Sequence, residues 1–102
     1  MKVQQIERDN FDELVLNSEQ PVLLDFYAPW CGPCSLLSPV LDEIAAENPE
    51  IRVCKINIDT EDALSSQYKV FRIPTLLVMQ GGSEKQRIVG ARPKEELLSL
   101  FA

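Results

Sequence analysis

The sequence predicts an α/β fold, a central mixed five-stranded sheet flanked by four helices on both faces. Short apolar runs separated by helical patterns call for parallel strands joined by right-handed crossovers. The run Val22-Leu23-Leu24-Asp25-Phe26-Tyr27-Ala28 is almost continuously apolar, as expected of a strand covered on both faces. Gly81-Gly82 between two strand-like runs marks a hairpin, which brings antiparallel pairing into the same sheet.

The elements follow in order. Lys2 to Glu7 is a short first strand with weak alternation. Asp9 or Asn10 is placed to cap a helix over Phe11 to Leu16, where Phe11, Leu14 and Val15 fall at helical spacing. Pro21 ends the connection before the Val22 strand. Pro29-Trp30-Cys31-Gly32 then makes a turn, and Pro33 suits the first turn of a helix, where its missing N–H costs nothing. Leu36, Leu37, Val40, Leu41, Ile44 and Ala45 mark one face of that helix. Pro39 is expected to kink it, and Asn48-Pro49 to stop it.

Ile51 to Ile58 alternates cleanly, with Val53 and Lys55 on one side and Cys54 and Ile56 on the other. Asp59 or Thr60 is a candidate cap for a helix reaching about Gln67. Thr75 to Met79 and Lys85 to Val89 form the two arms of the hairpin. Pro93 opens a last helix whose Leu97, Leu98 and Phe101 pack on the sheet. No repeat, low-complexity segment or linker interrupts the chain, so its 102 residues read as a single domain, 1–102.

Composition narrows the function. Apolar residues make up 45% and charged residues 25%, ordinary globular usage. The net charge of −6, from 16 acidic against 10 basic residues, argues against nucleic acid or an anionic membrane as partner. No run approaches the ~18 apolar residues of a spanning helix. Met1 to Glu7 carries no apolar stretch followed by a small-residue cleavage site, so the expected location is the cytoplasm.

Of the three cysteines, Cys31 and Cys34 lie three residues apart, a spacing at which a turn brings two Cβ atoms within disulfide reach. A strand-to-helix turn also puts Cys31 at a helix N-terminus, where free N–H groups and the positive end of the dipole favour a thiolate. The thiolate is the nucleophile of disulfide exchange. Cys31 is therefore expected to attack, and Cys34, one turn inside the helix and less exposed, to resolve. Half of a zinc site is a poor alternative, because structural zinc takes four ligands and the chain has no histidine and only Cys54 besides. A purely structural disulfide is equally poor, since so short a loop constrains the unfolded chain little.

Trp30-Cys31-Gly32-Pro33-Cys34, with Asp25 six residues before Cys31 and Ile73-Pro74-Thr75 downstream, resembles the thioredoxin family over nearly the whole chain. The resemblance implies that Asp25 accepts the proton of Cys34, directly or through a water, and that Lys55 approaches the aspartate and modulates it. The residues alone leave Asp25 open between this role and a strand-end or capping carboxylate facing solvent. They leave Lys55 open between this role and an exposed lysine on the sheet rim. A buried carboxylate should have a raised pKa, and a neighbouring ammonium should oppose the rise. The resemblance further implies a cis bond before Pro74 and pairing of the preceding backbone with an extended substrate, as an added strand. Trp30, Gly32, Pro33, Ile58, Ile73, Pro74, Val89, Gly90 and Ala91 would form the apolar contact surface. Gly90 also suits a close backbone approach to the cysteines.

Some positions depart from the common family pattern. Tyr27 stands where tryptophan is usual, keeping an aromatic body and a polar tip. Ser35 replaces a frequent lysine, and Arg72 a small residue, so that a guanidinium at the groove edge would favour acidic partners or crowd others. Cys54 reads as a packed strand residue, with a regulatory thiol as the minor alternative.

The Gly-Pro dipeptide between the cysteines resembles reducing members, since isomerases and oxidants usually carry a histidine there. The expected function is a monomeric protein-disulfide reductase with no bound cofactor, recharged by a thioredoxin reductase. Its targets would be oxidised protein disulfides of the peroxidase or ribonucleotide reductase type. A donor dedicated to one enzyme, and a binding or processivity subunit that uses the fold without the thiols, are the alternatives.

Overall fold

The computed structural model describes all residues, Met1–Ala102. The strands are β1 (Gln4–Ile6), β2 (Val22–Tyr27), β3 (Arg52–Asn57), β4 (Thr75–Gln80) and β5 (Ser83–Val89). The helices are α1 (Gly32–Glu47), α2 (Asp62–Gln67) and α3 (Lys94–Ser99), preceded by a π-helical turn at Asp12–Leu16. One five-stranded sheet has the order β1-β3-β2-β4-β5. β1 and β2 lie parallel to β3, while β4 is antiparallel to both β2 and β5. This is the mixed sheet that the apolar runs and the glycine pair predict.

Alternation along the central strands divides the core into two layers. Leu24 pairs in register with Cys54 and Leu77, and Phe26 with Ile56, on one face. They pack with Phe11 and Val15 around the π-turn and Leu64 of α2. Leu23 is in register with Val53 and Val78, and Asp25 with Lys55 and Leu76, on the other face. There Leu37, Leu41 and Ile44 of α1 and Leu97 of α3 complete the core. Phe26 is fully buried, and truncating such a ring to alanine costs about 3–5 kcal/mol.

Local chemistry explains where the elements differ from expectation. The β1 strand is limited to Gln4–Ile6 because only these residues pair with Cys54, Lys55 and Ile56. Asn10 does not cap forward. Its Oδ1 accepts the Glu7 N–H at 2.7 Å and its amide donates to the Gln5 carbonyl at 3.1 Å, so the side chain fixes the preceding turn. The following segment closes with a wide bond from the Asn17 N–H to the Asp12 carbonyl at 2.9 Å. Neither Asp59 nor Thr60 caps α2. The Asn57 Oδ1 accepts the Asp59 N–H at 2.8 Å, forming a turn that delays the helix to Asp62.

α1 continues through Pro39 as one 16-residue helix. Its buried stripe is Cys34, Leu37, Leu41, Ile44 and Ala45. Leu36, expected on that face, is 76% exposed, because it lies about 100° around the helix from Leu37. β5 begins two residues earlier than expected, at Ser83, and an irregularity between Val78 and Met79 shifts its register with β4.

Candidate active site

The carboxyl end of β2 runs into a turn whose Cys31 N–H donates to the Ala28 carbonyl at 3.2 Å. Cys31 is the extended residue that caps α1, and its Sγ accepts the Cys34 N–H at 3.2 Å. Gly32 and Pro33 form the first helical turn and face solvent. One orphan donor of the helix start, the Cys34 N–H, is thus aimed at sulfur, which favours a thiolate when the pair is reduced. Cys31 and Cys34 form a disulfide, with Cα atoms 5.3 Å apart. The expected contrast in exposure is nearly absent in this closed form: Cys31 is 6% and Cys34 5% exposed. The ring of the disulfide draws both sulfurs under the turn, with Ala28, Tyr27, Ile58 and Ile73 packed around them.

The Ile73–Pro74 peptide is cis. The Pro74 carbonyl accepts the Gly90 N–H at 2.7 Å, and the Thr75 hydroxyl donates to the Arg72 carbonyl. Ile73 itself makes no hydrogen bond through its N–H or carbonyl. Gly90 is required for its backbone, at φ 101°, and the nearest atom to an added Cβ is the Arg92 guanidinium at 3.0 Å. The close approach to the cysteines expected at this glycine is therefore not its constraint.

Trp30 is 70% exposed, and its indole Nε1 donates to Asp59 at 2.9 Å. Ile58 and Ile73 are half-buried, Pro74 is buried, and Val89 and Ala91 are exposed. Beyond the predicted surface, Leu36 and Phe71 are also exposed, Phe71 at 88%. The helical wheel would have found Leu36. No periodicity marks Phe71, which sits in an irregular connection.

Beneath the disulfide, Asp25 is 3% exposed and one carboxylate oxygen, Oδ1, has no hydrogen-bond partner. Burial pushes its carboxyl up to about 7, with the Lys55 ammonium pulling the other way. Parallel register sets the two residues side by side on one face. Lys55 Nζ lies 5.2 Å from the centre of the Tyr27 ring, within reach of a cation–π contact, and the Tyr27 hydroxyl donates to Gln5 Oε1 at 3.2 Å. A cavity of about 130 Å³ is lined by Asp25, Cys34, Lys55, Ser35, Ser38 and Asp42, among others. Its size and polarity admit water between the carboxylate and the sulfur. Ser38 and Asp42 were not singled out by sequence, because only the packing of α1 over β2 turns them toward Asp25.

Cys54 is the one free cysteine, fully buried in the opposite layer. Burial pushes its thiol up to about 12 against the opposing Arg52 charge.

A cysteine pair closed across a helix N-terminus, next to a cis-proline and above a buried carboxylate, is an arrangement suited to thiol–disulfide exchange. The thioredoxin family profile matches residues 2–102, and the chain belongs to the thioredoxin family. It is 46% identical over 96 residues to a thioredoxin of Synechocystis sp., covering 93% of this chain and 90% of that protein. With a thioredoxin of Pyropia yezoensis it shares 44% identity over 100 residues, 97% of this chain and 94% of the relative. The M-type chloroplastic thioredoxin of Spinacia oleracea is 45% identical over 97 residues, 94% of this chain and 54% of that protein. The chain thus spans about half the length of such chloroplastic relatives.

Proposed function

We propose that this protein is a general protein-disulfide reductase, with the closed Cys31–Cys34 pair at the start of α1 as the observation that carries the reading. In the reduced protein the Cys31 thiolate attacks one sulfur of a target disulfide. A mixed disulfide forms and the other target sulfur leaves as a thiolate. Asp25 takes the Cys34 proton, directly or through water in the cavity, and the Cys34 thiolate attacks Cys31 Sγ. The Cys31–Cys34 disulfide forms and the second target sulfur leaves. Two electrons pass from the dithiol to the target, and a thioredoxin reductase restores the dithiol.

Lys55 favours the ionised Asp25 carboxylate and so brings its titration closer to neutral pH than burial alone would. Trp30, Gly32, Pro33, Ile58, Val89, Gly90 and Ala91 offer the target an apolar rim. The free backbone groups of Ile73 beside Pro74 pair with it as an added strand. The Gly-Pro dipeptide and the lack of histidine support the reducing direction. Peroxidase- and ribonucleotide-reductase-type disulfides fit as targets, and the protein acts as a monomer. We place it in the cytoplasm; the chloroplastic names of three relatives favour a plastid as the second reading, which subcellular fractionation separates.

Reduction of insulin disulfides by dithiothreitol tests the activity. The protein should accelerate it and the Cys31→Ser variant should not; equal rates with and without protein would defeat the proposal. Biological function retained by a Cys31→Ser, Cys34→Ser variant would favour the binding-subunit alternative. Reduction of one target among many would favour the dedicated donor.

A further inference from the structure

The connection from Tyr68 to Ile73 delivers the chain to the cis-proline, yet it belongs to no helix or strand. Arg87 of β5 holds it from outside. Its Nη2 donates to the Tyr68 carbonyl at 2.6 Å and its Nη1 to the Lys69 carbonyl at 3.4 Å. The same guanidinium is braced by both carboxylate oxygens of Glu84, at 2.9 and 3.0 Å. Lys69 turns the chain with a φ of 55°. At the far end, the Arg72 carbonyl is fixed by the Thr75 hydroxyl. The segment is thus tied at both ends, while what it presents is unsatisfied. Phe71 is 88% exposed, and the exposed Arg72 side chain enters no hydrogen bond or ion pair within the chain.

A large apolar ring and an unpaired cation on a preset backbone, one residue before the free N–H and carbonyl of Ile73, have the form of a recognition arm. The protein carries a net charge of −6, and Arg72 together with the exposed Lys69 three residues before it makes this segment locally cationic. We propose that Phe71 and Arg72 select target disulfides whose flanking residues are acidic, the guanidinium facing a carboxylate of a segment that pairs with Ile73. The occupant is an extended, disulfide-bearing protein segment of net negative charge. This inference rests on the reductase reading and adds a substrate class to it.

The test uses synthetic peptides with one disulfide, identical except for glutamates, glutamines or lysines beside the cysteines. Wild-type protein, Arg72→Ala and Arg72→Glu are compared by kcat/KM, with insulin reduction run in parallel. Wild type should reduce the glutamate peptide about threefold faster than the glutamine peptide, the size of one exposed ion pair, and the lysine peptide slowest. Arg72→Ala should level the series and Arg72→Glu should invert it. The preference should fade at about 0.5 M salt, as an exposed pair is screened. The same ranking in all three proteins, or no ranking while every peptide is reduced, would overturn the inference and leave the reductase reading standing. Failure of wild type on insulin and on every peptide would overturn both.

Discussion

The two faces of the central sheet bury one titratable side chain each, and only one of these groups opens to a cavity. On the first, Cys54 lies among Leu24, Ile56, Leu77 and the ring of Phe26, with no exposed surface. Burial drives its thiol to about 12, so it stays protonated and inert at neutral pH. On the second, Asp25 is nearly as buried, but a cavity reaches it, Lys55 stands beside it, and its carboxyl titrates at about 7. Burial raises both groups. Each also has a cation nearby, Arg52 for the thiol and Lys55 for the carboxyl, so what separates the two groups is the cavity that gives water access to Asp25 alone.

Breaking the second face should have the largest effect. Asp25→Asn should slow resolution of the mixed disulfide by about 100-fold at neutral pH, as loss of a general base does, and trapped mixed disulfide should accumulate in quenched time courses. Next in size is stability. With the Asp25 pKa raised, the folded protein holds a proton that the unfolded chain has lost between about pH 4 and pH 7. Stability of the disulfide form should therefore fall as pH rises through this window, by a few kcal/mol, on the order of 4. The fall should be absent in Asp25→Asn, and urea unfolding at a series of pH values measures it.

Disturbing the first face should cost less. Cys54→Ala should lower stability by about 1–2 kcal/mol through the space it opens, with insulin reduction unchanged. A loss of reduction would show that the apolar face takes part in the chemistry after all. Lys55→Met sharpens the comparison further. Without the ammonium, the carboxyl should titrate at higher pH, so the midpoint of the pH–rate profile of resolution should move upward. Smallest of all, Leu36→Ala should change unfolding free energy by less than about 0.5 kcal/mol, because its side chain is exposed.

Much of this was legible in sequence because it depends on local periodicity. The alternation of β3 assigned Cys54 and Lys55 to opposite faces, as register confirms. The turn before Pro33 placed Cys31 at a helix start, as the cap geometry shows. The parts that were not legible depend on competition between neighbours. Asn10 and Asn57 spend their side chains on preceding or following turns, so that neither helix begins at its expected cap. Asp59 instead accepts the Trp30 indole N–H, a partner 29 residues away that only tertiary approach brings within reach.

By itself, then, the sequence determined the mixed sheet, its two apolar faces, and the cysteine pair at a helix N-terminus. These follow from side-chain spacing and from the short range of turn chemistry. Only the tertiary structure decided that Ser38 and Asp42 share a cavity with Asp25, and that Arg87 grips the backbone before Phe71 and Arg72. Those contacts join residues far apart in the chain. Nothing in local spacing encodes them until β2, β4 and β5 pair and α1 packs across the sheet.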